Sequence, residues 1–154
     1  MTDLAIFAAG CFWGIEEKFL STHGVIETEV GYIGGITNNP SYHDVCRGDT
    51  EHAEAVRIKF DEEKISYKEL VVIFFQIHDP TTLNRQGPDV GTQYRSEIFC
   101  LNEDQYVTAD MVKRDLNSSS FGGNIVTSIS MADSFWIAEE YHQKYIRKKK
   151  NMIL

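Results

Sequence analysis

Apolar and polar residues alternate over several short stretches of this chain, and this pattern predicts β-strands. The clearest stretch is 53–60, where Val56 and Phe60 belong to an apolar face and Arg57 belongs to the opposite, polar face. The apolar run 4–9 indicates a buried strand. Further strands are expected at 26–32, 94–101 and 125–131.

Between the predicted strands, apolar residues recur at helical spacing. Phe12, Ile15 and Phe19 fall on one side of a helix, and Ser66 with Glu69 forms a capping box at the start of another. The predicted helices cover about 12–23, 66–77, 102–116 and 133–145, and loops are expected at 36–49 and 81–92. The order β-α-β-β-α-β-α-β-α favours a two-layer α/β (α+β) sandwich with a mixed sheet, because two of the strands are adjacent in sequence.

Composition is that of an ordinary globular protein and excludes a disordered chain or a disulfide scaffold. The 154 residues are 42% hydrophobic and 25% charged, a length that predicts one domain spanning 1–154. The net charge of −8 argues against a general nucleic-acid-binding surface. No run of 18 apolar residues and no basic leader are present, so a cytoplasmic location and free thiols at Cys11, Cys46 and Cys100 are expected.

One cysteine lies where a thiol can be made reactive. Cys11, in the segment Gly10-Cys11-Phe12-Trp13-Gly14, falls at the junction of a predicted strand and a predicted helix. Free backbone N–H groups and the positive end of the helix dipole stabilise a thiolate there, so the pKa of Cys11 is expected to be lowered. The alternative is a buried structural cysteine with two core aromatic residues beside it.

A carboxyl group is predicted on the apolar face of the clearest strand. Glu54 lies two residues before Val56, so both side chains share one face. Desolvation there raises a carboxyl pKa toward neutrality, which suits a general acid. A solvated strand end or a basic partner is the alternative. Tyr42 in the first loop and Tyr94 on an inward strand face are further hydroxyl groups that need partners.

The sequence gives no indication of a metal ion or a nucleotide cofactor. His43, Cys46 and His52 have a spacing that matches no compact tetrahedral site. The glycines at 31, 34 and 35 lack the spacing and the following helix of a nucleotide-binding loop. Chemistry is therefore expected to come from side chains and an external reactant.

Motifs throughout the chain resemble those of the A-type peptide methionine sulfoxide reductases, in the same order. Beside the segment around Cys11, they are Gly31-Tyr32 with Gly34-Gly35, Pro40-x-Tyr42, His52-Ala53-Glu54, His78-Asp79-Pro80-Thr81, Asn84-Arg85-Gln86-Gly87, Asp89-x-Gly91, Gln93-Tyr94-Arg95-Ser96 and Ala138-Glu139-x-Tyr141-His142-Gln143. The resemblance covers about residues 5–145. It implies a mixed α/β fold with a ferredoxin-like β-α-β core and an enzyme that reduces methionine-S-sulfoxide, free or in oxidised proteins.

The resemblance also implies roles for individual residues. Cys11 would attack the sulfoxide sulfur and become a sulfenic acid, and Glu54 would protonate the sulfoxide oxygen. The substrate methyl group would lie against two aromatic residues, and three polar side chains would hydrogen-bond the oxygen or order the polar network. The aromatic residues are Phe12 and Trp13; the polar ones are Tyr42, Tyr94 and Asp89.

Two departures from the family pattern bear on function. Glu51 stands where many relatives have a small residue, and it is expected to point to solvent. No cysteine follows Cys100, although many relatives carry resolving cysteines in a C-terminal tail. An external thiol is therefore expected to reduce the enzyme: thioredoxin, glutaredoxin with glutathione, or another small thiol. Cys46 and Cys100 remain as alternative resolving cysteines.

Two other functions use some of the same residues. A thiol peroxidase or thiol hydrolase also needs an activated cysteine, although the His and Asn/Asp order of a cysteine protease is missing. A non-catalytic protein would use Phe12 and Trp13 to hold methionine or its sulfoxide. The presence of both Cys11 and Glu54 argues against that second alternative.

Overall fold

The computed structural model describes residues 1–153 and contains strands and helices in the following order. The strands are β1 (Thr2–Ala9), β2 (Val25–Ile33), β3 (Ala53–Asp61), β4 (Arg85–Gln86), β5 (Asp89–Val90), β6 (Ser96–Cys100), β7 (Ser128–Met131) and β8 (Trp136–Ile137). The helices are α1 (Phe12–Leu20), α2 (Tyr42–Cys46), α3 (Tyr67–Gln76), α4 (Glu103–Ser119) and α5 (Tyr145–Ile153). Short 3₁₀ helices lie at Thr92–Tyr94 and Glu140–His142.

Six of the strands form one mixed sheet in the order β7-β6-β1-β3-β2-β8. The β6–β7 pair is parallel and the other pairs are antiparallel. The predicted mixed α/β sheet is thereby confirmed. Strands β4 and β5 form a separate hairpin outside it.

One face of the sheet carries the main hydrophobic core. Phe7, Val56 and Ile98 from the three central strands are buried there together with side chains from the helices, such as Phe19 and Phe74. On the opposite face, a smaller apolar cluster is covered by the chain after β7. The helices therefore pack as one layer on one side, which gives the two-layer arrangement.

Helix starts follow the local sequence closely. The Ser66 hydroxyl accepts from the Glu69 amide and the Glu69 carboxylate accepts from the Ser66 amide, so the predicted capping box of α3 is confirmed. Asn102 caps α4 by accepting from the Gln105 amide. No helix within residues 1–153 has the length and hydropathy that a membrane crossing requires.

In four places the structure differs from the sequence-based prediction. Segment 36–49 contains α2, and segment 81–92 contains the β4–β5 hairpin rather than a plain loop. Tyr94 lies in a 3₁₀ turn before β6, not on the strand. The predicted helix over 133–145 is wrong, because this stretch contains the short strand β8, which pairs with β2, and a 3₁₀ helix at Glu140–His142.

Tertiary hydrogen bonds explain the misassigned segment 133–145. The Ala138 amide donates to the carbonyl of Val30, and the Gln143 side-chain amide both donates to that carbonyl and accepts from the Val30 amide. These bonds join residues more than 100 positions apart in the sequence, so no local pattern indicates them. The helix at this end begins only at Tyr145.

Candidate active site

Cys11 occupies the N-cap position of α1, directly after β1. Its sulfur forms no capping hydrogen bond, but the nearby backbone N–H groups of Trp13 and Gly14 lower the pKa of the thiol, as a position at a helix N-terminus predicts. The thiol is half-buried. Gly10 precedes it with a φ of +99°, a conformation that L side chains rarely adopt. The sharp turn at Gly10 therefore places the thiol at the start of the helix.

Glu54 is buried beside the backbone of this helix start. It lies on the apolar face of β3, as the alternation predicts, and is 2% exposed. The Phe12 amide donates to the Glu54 Oε1 atom over 3.2 Å. Burial raises the pKa of Glu54 to about 7; the Phe12 N–H opposes this rise and the negative charge of Asp89 adds to it. A carboxyl that exchanges its proton near neutrality thus adjoins the cysteine.

The environment of Cys11 does not lower its pKa, contrary to the prediction made from its position. Burial, with smaller contributions from the charges of Glu54 and Asp89, raises the pKa of the thiol to about 11. The N–H groups of Trp13 and Gly14 lower it, but their effect is the smaller one. The helix start therefore lowers the pKa of Cys11 as predicted, but burial and the two carboxylates raise this pKa by more.

Tyr42 and Tyr94 flank the same region on separate segments. Tyr42 is the first residue of α2, and its amide donates to the Glu139 carboxylate over 2.8 Å. Burial raises the pKa of both hydroxyls, that of Tyr94 to about 12, and the charge of Glu54 contributes to each rise. Both hydroxyls therefore keep their protons at neutral pH and can donate hydrogen bonds.

Asp89 is held near the site by the β4–β5 hairpin. Its neighbour in the hairpin is Gln86, whose side chain donates to the Asp79 carbonyl and accepts from the Asp79 amide, at 2.8 Å each. A side chain at position 10 would come within 2.8 Å of Gln86, so the hairpin packs directly on Gly10. The negative charge of Asp89 acts on the pKa values of both Cys11 and Glu54.

The two aromatic residues after the cysteine differ in burial. Phe12 is buried against the ring of Tyr32, at 5.8 Å between centroids. Trp13 is half-buried and stacks on Tyr145 at 3.9 Å, and its indole N–H donates to His142 Nδ1 over 2.9 Å. The two rings belong to one aromatic cluster beside Cys11, in which Trp13 is partly exposed and Phe12 is not.

Three further side chains contact Trp13 or Tyr42. None of them is among the candidate site residues that were predicted from the sequence. These are Glu139, His142 and Tyr145. Glu139 and His142 belong to a segment that resembles the family motif, and this resemblance could have indicated them. Nothing in the sequence around Tyr145 indicates its role. Glu139 and His142 lie in the segment misassigned as a helix, and Tyr145 begins α5.

The remaining cysteines have different surroundings. Cys100 is fully buried in the core, and its sulfur is 4.0 Å from the hydroxyl of Tyr67. Cys46 is exposed at the end of α2, and it contributes to the raised pKa of the Tyr42 hydroxyl. Glu51 is exposed, as expected. Of the three thiols, Cys46 and Cys11 are therefore the ones accessible to solvent.

His52, one of the three residues considered as metal ligands, forms hydrogen bonds within the fold. His52 accepts from the Gly35 amide at Nδ1 and contacts the Thr37 carbonyl at Nε2, at 3.0 and 2.7 Å. Within residues 1–153, no three His, Cys, Asp or Glu side chains are placed together so as to hold a metal ion. His52 thus braces the loop that leads to α2.

Comparison with protein families gives a match over almost the whole chain. The family model described as peptide methionine sulfoxide reductase matches residues 3–153. The chain belongs to this family. It is an oxidoreductase.

Individual members of the family are similar over most of their length. The peptide methionine sulfoxide reductase MsrA of Methanosarcina acetivorans is 55% identical over 148 residues, which are 96% of this chain and 79% of the relative. Reduced Mxr1 of Saccharomyces cerevisiae superposes with a TM-score of 0.92 and 37% identity, over 97% of this chain and 86% of Mxr1. Mxr1 in complex with Trx2 shares the fold, with a TM-score of 0.67 and 24% identity over 94% and 84% of the two chains.

Because Glu54 is buried, its contribution to the free energy of unfolding is predicted to depend on pH. Its pKa is near 7 in the folded chain and 4.5 in the unfolded reference, so the unfolded chain holds fewer protons between these pH values. Stability therefore falls as pH rises through this window, by about 3 kcal/mol. The pKa of buried His78 is lowered to about 4, which acts in the opposite direction in both proteins. Urea unfolding at pH 5 and pH 8 is therefore expected to show a loss of stability that is larger by about this amount in the parent than in Glu54→Gln. Equal losses in both proteins would contradict it.

Proposed function

We propose that the protein reduces methionine-S-sulfoxide, free and in oxidised proteins, to methionine, with Cys11 as nucleophile and Glu54 as proton donor. The observation that carries this assignment is the bond from the Phe12 amide to Glu54, which joins the buried carboxyl to the residue next to the thiol. The family membership supports the reaction, and the S-epimer preference is the one that the family resemblance implies. Residues 1–154 act as one catalytic domain in this proposal.

The pKa values of the two groups suit a reaction that starts from a neutral site. At neutral pH the Cys11 thiol keeps its proton and Glu54 is partly protonated. As the Cys11 sulfur attacks the substrate sulfur, Glu54 donates a proton to the sulfoxide oxygen and then accepts the thiol proton. In the resulting adduct, the new S–S bond and the substrate S–O bond then break while the protonated oxygen bonds to the Cys11 sulfur, so methionine leaves and Cys11 becomes a sulfenic acid. The substrate sulfur gains the two electrons that the Cys11 sulfur loses.

The neighbouring side chains assist this step in the proposal. The Tyr42 and Tyr94 hydroxyls donate hydrogen bonds to the oxygen while negative charge develops on it. Asp89 orders this polar network through its place on the hairpin. Phe12 and Trp13 take the methyl group of the substrate against their rings.

A thiol outside this chain returns the sulfenic acid to the thiol in our proposal. Two external thiol groups reduce Cys11–SOH to Cys11–SH, and a disulfide and water form. A thioredoxin-type protein is the first candidate, since the neighbour Mxr1 has been seen bound to Trx2; glutaredoxin with glutathione is the second. Cys100 is buried in the core, which argues against a resolving role for it. This chemistry places the protein in a reducing compartment such as the cytoplasm.

The central prediction concerns Cys11 and the two sulfoxide epimers. With excess dithiothreitol, the parent is expected to reduce methionine-S-sulfoxide and not the R epimer, and Cys11→Ser is expected to reduce neither. Chromatographic separation of the epimers measures this directly. Reduction of hydrogen peroxide but of neither sulfoxide would indicate a thiol peroxidase. Binding of the sulfoxide without turnover in the folded parent would indicate the non-catalytic alternative.

The role of Glu54 is tested in a single turnover without reductant. Glu54→Gln keeps an acceptor for the Phe12 amide but cannot donate a proton as an acid, so methionine release is expected to slow by about 100-fold or more. Glu51→Gln removes an exposed carboxyl three positions away and serves as the matched control, with the parental rate. An unchanged rate in Glu54→Gln would assign the proton transfer to another group.

Cysteine variants test whether the reductant is external. Cys46→Ser and Cys100→Ser are each expected to keep both the single-turnover yield and the steady-state rate with thioredoxin. Cys11→Ser is the inactive reference. If Cys46→Ser releases one methionine per chain but loses steady-state turnover, then Cys46 resolves the sulfenic acid and the proposal of an external thiol at this step is wrong.

A further inference from the structure

His142 lies at the centre of the aromatic residues around the candidate pocket. Its ring is completely buried. The ring centroids of Phe12, Trp13, Tyr42 and Tyr141 lie 5.2, 5.6, 4.4 and 4.1 Å from its own. One imidazole thus contacts both apolar residues and one of the hydroxyl-bearing residues that the proposed function uses.

Hydrogen-bond chemistry fixes the protonation state of this imidazole. The indole N–H of Trp13 can only donate, so His142 Nδ1 must accept and carries no proton. The neutral ring therefore bears its proton on Nε2, and that buried atom has no hydrogen-bond partner among residues 1–153. A buried donor without a partner is costly. An apolar ring would fill an ordinary core position without this cost. The unpaired donor at Nε2 therefore indicates that the site requires the hydrogen-bond acceptor at Nδ1.

We propose that His142 is a positioning residue for sulfoxide reduction, which holds the Trp13 indole by its N–H so that the pocket presents only apolar surface to the substrate methyl group. This inference rests on the proposed function of Trp13. The second support of the indole is Tyr145, which stacks on it with an interplanar angle of 11°. With its edge bonded and one face covered, the indole has one orientation and no free polar atom.

The arrangement has a direct consequence for pH. A protonated His142 has N–H groups at both ring nitrogens and repels the Trp13 donor. Burial lowers the pKa of His142, and the charge of Glu139 opposes this. The other titratable groups that face the ring are the hydroxyls of Tyr42 and Tyr141. The bond therefore persists at neutral pH and is lost on acidification, below the usual histidine value of about 6.5.

The bond itself can be observed without any activity measurement. The chain has two tryptophans, so a ¹⁵N-labelled sample gives two indole N–H signals, and Trp136→Phe assigns them. We expect the Trp13 signal to exchange slowly with solvent and to shift as the pH falls below 6.5. In His142→Phe, which keeps a ring but removes the acceptor, exchange is expected to be fast and the pH-dependent shift absent. A Trp13 signal that exchanges rapidly in the parent would overturn the proposal.

A double-mutant cycle then tests the link to the substrate. His142→Phe is expected to raise the half-saturating substrate concentration in single turnovers by about tenfold, with the maximal rate little changed, since binding energy is lost in ground and transition states alike. In a Trp13→Phe background, where no indole N–H exists, the same change is expected to have no further effect. Equal effects in both backgrounds would show that His142 acts through general packing and would overturn the proposal.

A second variant guards against loss of folding. Asn at position 142 places an amide oxygen where Nδ1 lies, so His142→Asn is expected to restore slow indole exchange and part of the affinity without the pH dependence. If His142→Asn behaves like His142→Phe, the acceptor is not what matters and the proposal is wrong. If the parent reduces neither epimer, the proposed function fails, whereas the indole signal still reports on the bond.

Discussion

The site depends on one buried carboxyl group with a single backbone partner. Glu54 is taken out of water by the sheet face on which it lies, and the Phe12 amide is the only hydrogen-bond donor that residues 1–153 offer it. A carboxylate in such a place is costly, so the group keeps its proton up to neutral pH. That constraint sets the electrostatics of all neighbouring groups. When Glu54 is ionised, its charge adds to the effect of burial and raises the pKa of Cys11 and of both tyrosine hydroxyls further.

A neutral resting site differs from the usual activated cysteine, in which a lowered pKa supplies the thiolate beforehand. Here burial and carboxylates keep Cys11 protonated, and the helix N–H groups only reduce that effect. In the proposed mechanism, the reactive state is reached when a substrate with positive charge on sulfur and negative charge on oxygen enters. Unproductive oxidation is disfavoured in that mechanism, because the thiol is a weak nucleophile until a sulfoxide accepts the proton of Glu54.

Strand alternation and helix caps were predicted correctly, because both depend on residues that are close together in the sequence. Alternation in 53–60 placed Glu54 on the buried face, and the capping residues of α3 and α4 were recognised. The sign of the Cys11 pKa shift was wrong, because the extent of burial is a property of the whole fold. Segment 133–145 was misassigned for the same reason: its hydrogen bonds to Val30 cross the molecule. The role of His142 therefore emerged only from the structure.

The hydrogen bonds around Glu139 and His142 have a consequence for the order in which the protein assembles. Glu139 accepts from the Tyr32 hydroxyl and the Tyr42 amide, and His142 accepts from Trp13, across separations of 107, 97 and 129 residues. Contacts between such distant residues close large loops and form slowly. The strands joined by near neighbours can pair earlier. On the ribosome, a chain that has synthesised Cys11 and Glu54 still lacks the residues that hold Trp13 and Tyr42 in place. Under the proposed function, catalytic competence therefore comes with the last part of the chain rather than with the nucleophile.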